Sequence, residues 1–525
     1  MSTQVTDPPS TAAPTSPRIG KWWAALLGVV ALAAALGAGQ LVAAFVGTTA
    51  SPFLAVANFV IDHSPQPIVK WAERTLETWD KPVLKLGLGV LLVVFAMLAG
   101  LFSRRKPLPG QLVIGILGAA GIAAVYVRQD LGPVALLAPV VTLLAGIGVF
   151  TRLHSLALRT PSVAGGAGDG TTRRQFLVTT GGVAAGAGVA ALAGQFIGSA
   201  NDAESSRAMV GKLTPAKAAP PIPADADFAK LGTPPFITPN KDFYRIDTAL
   251  VVPQVRAEDW SLRVHGMVDR EVTFDYTEIR NRPLVEQTVT MTCVSNEVGG
   301  PYISTANFVG VWLRDLLDEA GVQPGAQQLF ATSSDGWTCG SPVEAALDPK
   351  RGAMLAIGMN GEPLPLEHGF PARIVIPGLY GYVSGTKWVA DLELTTWQAR
   401  RGYWLDRGWG EQGPIKTMSR IDSPQGFQSL PAGKVTVSGI AWAQTTGIEK
   451  VEVRLDNGPW QAAELSTVFN DNTWRMWHLL ADVPKGSHTV AVRATDKLGY
   501  TQTEQRASTV PDGATGWHTV VFDAQ

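Results

Sequence analysis

Long apolar runs crowd into the first two hundred positions of the chain. After that they give way to short runs broken by Gly and Pro. Trp22–Val46, Val83–Phe102, Gln111–Val127 and Leu131–Phe150 are each long enough, at about 17–25 residues, to cross a bilayer as a helix. Phe53–Ile61 is too short to span and is expected at the interface or against the bundle. Thr171–Gly194, TTRRQFLVTTGGVAAGAGVAALAG, sets a weakly hydrophobic Gly/Ala run behind adjacent arginines. It reads either as a fifth span or as a twin-arginine export signal placed internally. Both readings carry the chain outward, but only the second implies export of an already folded domain.

The pattern changes at Ala203–Ala224, which is rich in Ala, Pro, Ser and Lys and predicts a linker. Beyond it, segments such as Thr288–Thr292, Ala372–Ile376 and Trp388–Leu394 read as strands. FVGVWLRDLLDEA, Phe308–Ala320, places Val311, Leu313, Leu316 and Leu317 near helical spacing and predicts a helix. From Gly433 onward the chain alternates at period two, with turn signals at DNG and PKG, which predicts an immunoglobulin-like sandwich. Val451, Val453 and Leu455 are expected to face its core, and Glu452 and Arg454 to face water. The organisation expected is therefore multi-domain. Residues 1–170 form an α-helical transmembrane bundle of four helices, 171–200 the signal-like fifth helix, and 201–233 a linker. Residues 234–430 form an α+β domain and 431–525 the β-sandwich.

Charge fixes an orientation for the apolar part. Arg18 and Lys21 precede the first span, Arg104, Arg105 and Lys106 follow the second, and Arg152, Arg159, Arg173 and Arg174 follow the fourth. With the start of the chain inside, all of these fall on the cytoplasmic side. The expectation is a multi-pass protein of the cell membrane with residues beyond 200 on the extracytoplasmic side. His63 and His154 are the only histidines in this half and are expected in loops, which leaves a transmembrane haem without axial ligands. The half is read as an anchor and docking surface. The whole chain of 525 residues is 46% hydrophobic and 17% charged, with a net charge of -1. Nothing in that balance points to a nucleic-acid partner. Two cysteines cannot build a disulfide framework.

One of those cysteines, Cys293, stands in TVTMTCVSNEVGG, where a strand opens into a polar loop. A bridge to Cys339, an inert buried thiol and a metal ligand are all open to it. Around it the sequence supplies PNKDFYRID with Arg245, EHGFPARIVIPG with His368 and Arg373, and GYVSGTKW with Lys387. Arginine, lysine and loop amides together suit a polar, phosphate-bearing cofactor.

In this order, FYR (243–245), TCVSN (292–296), FVGVWLRDLL (308–317), SSDGWTCGSP (333–342), HGFPAR (368–373), KW (387–388) and TWQARRGYW (396–404) resemble the molybdopterin domain of the sulfite oxidase family. The resemblance runs from about Pro234 to the last residue. It implies that Cys293 is the protein's thiolate ligand to molybdenum in a molybdopterin cofactor. It implies that Phe243, Tyr244, Arg245, Asn296, Asp335, His368, Arg373, Gly385, Thr386 and Lys387 hold the cofactor, Gly385 and Thr386 through backbone amides. Arg245 and Tyr403 would act beside Cys293 in catalysis, with Tyr403 offset by about one residue from the family's tyrosine. Cys339 would stay a separate thiol.

The implied protein is a membrane-anchored oxidoreductase moving an oxygen atom to or from a small sulfur or related compound. An electron-transfer partner of unknown identity and a homodimer joined through the C-terminal domain are implied with it. Two family arginines are replaced here, at Glu297–Val298 and at Pro511–Asp512–Gly513, which predicts a substrate less anionic than sulfite. A sulfite dehydrogenase proper and a catalytically inactive tethered binding or assembly protein are the alternatives.

Overall fold

The computed structural model describes residues 18–525 except for 48–49, short gaps between 66 and 78, 129–130, 161–169 and 201–202. The chain divides into two compact units, Met1–Asn201 and Asp202–Gln525.

The first unit is helical: α1 (Lys21–Val46), α2 (Pro52–His63), α3 (Asp80–Phe102), α4 (Leu108–Tyr126), α5 (Leu137–Arg159) and α6 (Gly170–Ala200). Five helices, α2 excepted, are long and apolar enough to cross a membrane. Helix α1 is the hub, packed on α3, α5 and α6. Small residues allow the approach. A Cβ on Gly28 would collide with the Ala96 carbonyl, and one on Gly100 with the Ala24 carbonyl. The α1–α3 contact is thus small residue against small residue, with the backbones touching. Ile19 N–H donates to the Arg104 carbonyl at 2.9 Å, Arg104 Nε donates back at 2.7 Å, and Trp23 meets Phe176 edge-on at 5.5 Å. These contacts gather the basic ends of α1 and α3 with the start of α6. The Arg173 side chain lies outside the described residues.

Two readings need correction here. His154 and His63 are helical, not in loops: nothing between Phe150 and Arg159 breaks a helix, and Leu153 and Ala157 are buried on that stretch. His154 Nε2 is engaged by the Ser103 carbonyl at 2.6 Å, a local structural bond.

The second unit opens with α7 (Ala203–Val210), in the stretch expected to be a linker. AESSRAMV is rich in helix formers, and Arg207 pins it by bridging Glu204 and Glu362. Two sheets then share one core. The first runs β2 (Val272–Asp275), β1 (Ser261–Gly266), β10 (Val389–Thr395), β5 (Gln328–Ser333), β6 (Thr338–Pro342), with β1 and β10 parallel. The second runs β3 (Val285–Thr292), β4 (Ile303–Trp312), β7 (Met354–Met359), β8 (Glu362–Pro363), with β9 (Arg373–Val375) also on β7. The predicted helix over Phe308–Ala320 is half strand. FVGVW belongs to β4, buried between β3 and β7, and helix α8 occupies only Leu313–Ala320. β-Branched and aromatic residues with partners on both edges override the helical spacing.

The last part is a two-sheet sandwich. One sheet runs β11 (Met418–Ser423), β13 (Gly433–Trp442), β17 (Arg475–Val483), β16 (Glu464–Leu465). The other runs β12 (Ser429–Leu430), β19 (His518–Ala524), β18 (Gly486–Asp496), β14 (Ile448–Leu455), β15 (Gln461–Ala462). Val451 and Val453 reach the core between the sheets with Trp477 and Phe522. Glu452 and Arg454, expected in water, are half-buried instead. Arg454 lies over Trp460 and Trp517, and Glu452 pairs with Arg493 and Lys450.

The Gly100 contact yields a test. Gly100→Val puts a branched side chain where backbone atoms meet, and overpacking of this kind costs about 1–3 kcal/mol. Thermal unfolding of the full chain in detergent should shift down for this variant and stay near the parent for Gly87→Val, since Gly87 faces open space.

Candidate active site

Cys293 follows directly on β3, and its loop is closed upon itself. Cys293 N–H donates to the Tyr302 carbonyl at 3.0 Å, Asn296 N–H to the Cys293 carbonyl at 3.1 Å, and Tyr302 N–H to Asn296 Oδ1 at 2.9 Å. Asn296, expected to touch a cofactor, thus spends its side-chain oxygen bracing the loop. Ser295 Oγ lies 3.2 Å from the Cys293 sulfur. Cys293 and Cys339 are not bridged. Cys339 contacts Thr386 Oγ1 at 3.1 Å, and burial pushes its thiol up to about 12, which makes it inert.

Beside this loop the aromatic and cationic residues meet. Phe243 stacks on Tyr244 at 5.4 Å and meets His368 edge-on at 5.3 Å. His368 Nε2 faces the Asn240 carbonyl at 3.0 Å and therefore carries the ring proton. Burial, then the Arg373 charge, pulls His368 down to about 4, so it is neutral near pH 7. Arg373 lies over the Phe308 ring and donates from Nη1 to the His368 carbonyl at 3.2 Å. Burial pulls it down to about 10, still cationic at neutral pH. Lys387 Nζ donates to Asp247 at 3.0 Å and to the Glu367 carbonyl at 3.0 Å. Burial pulls it down to about 8, against the opposing pull of Asp247. Arg245, half-exposed, reaches the same Asp247 oxygen at 2.9 Å.

The loop after β9 supplies the floor. Helix α9 (Gly381–Ser384) ends where Gly385 N–H donates to the Gly381 carbonyl at 2.9 Å. That amide, expected to point at a cofactor, is committed within the helix. Thr386 is fully buried with its hydroxyl on Cys339. A Cβ on Gly385 would stand 3.3 Å from Met291 Cε, and one on Gly381 3.7 Å from the Tyr244 hydroxyl, so this loop packs tightly beside the end of β3. Asp335 closes the β5–β6 turn by accepting from Trp337 N–H at 3.2 Å. Ser334 N–H donates to the Trp388 carbonyl at 2.9 Å, which sets that turn against the Lys387 segment.

Tyr403 behaves otherwise. Its amide donates to the Thr338 carbonyl, its ring carries Arg407 at 3.5 Å, and it meets Trp404 edge-on. The phenols that sense a Cys293 thiolate are Tyr244 and Tyr380. Burial is the larger cause of the upward shift in each, and Tyr380 reaches about 12 with Asp512 adding to Cys293. Sequence reasoning missed Tyr380, although it stands in GLYGYVSGTKW, eight residues before Trp388. It also missed Lys416, whose Nζ pairs with Asp512 at 3.0 Å and donates to the Gly513 carbonyl at 2.7 Å. The carboxylate at 512 is therefore matched by a cation. Glu297 is exposed, and Val298 packs half-buried on the core.

The donor set can be tested for a phosphate-bearing cofactor. Arg245 and Lys387 share the Asp247 carboxylate, and the Arg373 charge is felt at Lys387. Arg373 is buried, and its Nε has no partner among the described residues. A buried guanidinium left short of an acceptor is costly unless an anion completes it. The flat Phe243–Tyr244 wall, a neutral histidine whose Nδ1 can accept and a nearby thiol complete a site that fits a pterin with its phosphate and a soft metal.

Residues 249–404 match the model of the oxidoreductase molybdopterin binding domain, and residues 414–524 that of the Mo-co oxidoreductase dimerisation domain. The chain is 31% identical over 318 residues to mitochondrial sulfite oxidase of Homo sapiens, covering 52% of this chain and 58% of that protein. It is 30% identical over 313 residues to sulfite oxidase of Gallus gallus, covering 50% of this chain and 67% of that one. Among solved structures it is similar to the sulfane dehydrogenase SoxCD of Paracoccus pantotrophus, at 24% identity and a TM-score of 0.48, over 55% of this chain and 84% of that one. The matched region is an oxidoreductase molybdopterin binding domain, which implies a molybdopterin cofactor, and the chain spans under two thirds of the length of the mitochondrial relatives. The chain belongs to the sulfite oxidase family.

Lys387 gives the site a pH signature. Its value of about 8 lies below its usual one near 10.5, so above about pH 8 the folded chain loses a proton that the unfolded chain keeps up to about 10.5. The cofactor-free chain should gain stability across that window, while the attraction for an anion falls. Retention of the pterin, followed by its fluorescence after gel filtration, should drop from pH 7 to pH 9.5. Lys387→Arg should flatten that dependence, because arginine stays charged.

Proposed function

We propose that the protein is a membrane-anchored enzyme that moves an oxygen atom to or from a small sulfur compound on the extracytoplasmic side. The observation that carries this reading is the Cys293 loop beside a buried cationic cradle whose Arg373 awaits an acceptor. When bound, the molybdenum cofactor supplies two-electron redox chemistry and oxygen-atom transfer. The chain's part is to hold, orient and tune. Cys293 would be the thiolate ligand. Phe243, Tyr244 and His368 would wall the pterin, and Arg373 and Lys387 would take the phosphate. Asn296, Asp335, Gly385 and Thr386 would set the loops that carry these groups. Arg245 and Tyr380 would face the substrate, and Tyr403 stays the third candidate.

The substrate is expected to carry less negative charge than sulfite, since Val298 offers no cation and Glu297 adds an anion nearby. Sulfite dehydrogenation is the second reading, and Lys416 favours it, since its backbone amide meets the Tyr380 hydroxyl at 3.4 Å while its ammonium offsets the Asp512 carboxylate nearby. An inactive tether fits poorly with a buried cationic site beside a cysteine. We read the sandwich as immunoglobulin-like and as the surface through which two copies pair. The five long apolar helices support a transmembrane bundle with the basic helix ends on the cytoplasmic side. Electrons would pass to or from a redox partner of unknown identity.

Cys293→Ser should lower turnover by more than about a hundredfold, given how steeply rate depends on placement of the reacting centre, while circular dichroism stays unchanged. Full turnover in that variant would end the ligand assignment. Metal analysis should find molybdenum in the parent. A screen with dye electron carriers should show poor sulfite turnover and better turnover of a neutral sulfoxide. A micromolar KM for sulfite would restore the second reading.

Export is tested apart from chemistry. Arg173→Lys with Arg174→Lys keeps the charge and changes the recognised side chains. Protease accessibility of residues beyond 202 in spheroplasts should fall in the double variant. Unchanged accessibility would leave α6 as an ordinary fifth span.

A further inference from the structure

Strand β3 is the outer strand of its sheet, and its last residue precedes Cys293. An uncovered strand edge leaves alternate N–H and C=O groups unpaired. Here the sandwich covers it. Thr290 N–H donates to the Asn472 carbonyl at 3.0 Å, and Gln444 Nε2 donates to the Thr290 carbonyl at 3.0 Å. Trp474 N–H donates to Thr290 Oγ1 at 2.8 Å, and Asn470 Nδ2 to the Thr288 carbonyl at 3.3 Å.

The loop beyond Cys293 is held from the same side. Arg420, on β11, donates from Nη1 to the Gly300 carbonyl at 2.9 Å. The His518 ring, on β19, fills the space beside Gly299, whose φ is +81° and where a Cβ would strike the imidazole. His518 Nδ1 accepts from Ile421 N–H at 2.9 Å, so Nε2 bears the proton and the ring cannot turn without losing that bond. Arg420 is itself fixed by Asp422 at 2.8 Å, with both side chains nearly buried and Asp422 Oδ2 without a partner among the described residues. A buried ion pair with an unsatisfied oxygen is poorly suited to adding stability. It is well suited to holding a geometry. The turn it grips runs straight back to the sulfur. Gly300 N–H donates to the Glu297 carbonyl at 2.8 Å, and Asn296 ties both to Cys293 and to Tyr302.

We propose that Arg420 and His518 are positioning residues for the Cys293 sulfur, so that the C-terminal sandwich sets the direction in which the thiol is presented. The inference rests on the reading of Cys293 as the metal ligand. It would give the sandwich a part in the site itself.

The full chain carries the test, in cofactor-free and loaded forms. In the cofactor-free form, iodoacetamide labelling of Cys293 is followed by peptide mass spectrometry. Arg420→Ala should raise the labelling rate by about tenfold or more, the scale expected when a charge-assisted tie to a local structure is lost. Arg420→Lys, which keeps one donor, should fall between variant and parent. In the loaded form, the Mo(V) paramagnetic resonance of Arg420→Ala should broaden or shift, and kcat should fall with KM held. If Arg420→Ala does not fold, Asp422→Asn loosens the guanidinium while leaving it in place, and the same changes are expected to be smaller. Labelling and resonance identical to the parent in either folded variant would overturn the proposal, even with a lowered Tm. Should Cys293→Ser keep its molybdenum and its turnover, the ligand reading fails by itself, and the labelling result still reports whether the brace exists.

Discussion

The backbone bond from Thr290 to Asn472, with its neighbour from Gln444 back to Thr290, joins the outer edge of β3 to the sandwich. On its other edge β3 pairs with β4 along its whole length. A strand held on both edges cannot slip in register, and a slip of one residue would turn every side chain to the opposite face. The rest of the site takes its frame from this strand. Cys293 leaves its end, Met291 touches the loop after α9, and Tyr302 returns the chain to β4 beside Ser304, which accepts from Tyr244 N–H.

The cradle works against the stability of the fold around it. Arg373 and Lys387 are driven towards their neutral forms by burial, and Asp247 offsets only part of that at Lys387. Rigid neighbours keep them there. Arg373 sits on β9 against β7, and Lys387 lies over the Trp388 ring while bonded to the Glu367 carbonyl. Charges held in place without full compensation are what a tightly bound anion would relieve. The energetic deficit of the cradle would then reappear as binding free energy for such an anion.

What the sequence revealed follows from how local the signal was. Cys293, the Phe243–Arg245 triplet, His368, Arg373 and Lys387 lie in short motifs, and the structure gathers them. The strand before Cys293 was legible from five alternating residues. The seam at Trp312 was not, because FVGVW and LRDLL share a helical spacing by chance and only the partners of β4 decide between the two states. Helix α7 hid in an Ala/Pro-rich stretch because its anchor, Glu362, lies 155 residues away. Lys416 beside Asp512, and Arg420 beside Gly300, are pairs separated by 96 and 120 residues. No local pattern announces such a pair. Gly385 and Asn296 show the reverse case. Both stand in recognisable motifs, yet their polar groups are spent on holding the loops in shape.

The central place of α1 has a consequence for how the helical unit comes into being. It is the earliest of the described helices in chain order, and its partners include α6, the latest of them in that unit. During synthesis, therefore, its glycine-lined surface near Gly37 must wait, uncovered, until the Ala187 region has been made. The same wait applies to Trp23, whose aromatic neighbour Phe176 belongs to the arginine-led segment. Phe176 stays uncovered until the segment docks on Trp23, where it is hidden. On the export-signal reading of this segment, its recognition and the completion of the bundle would compete for one side chain.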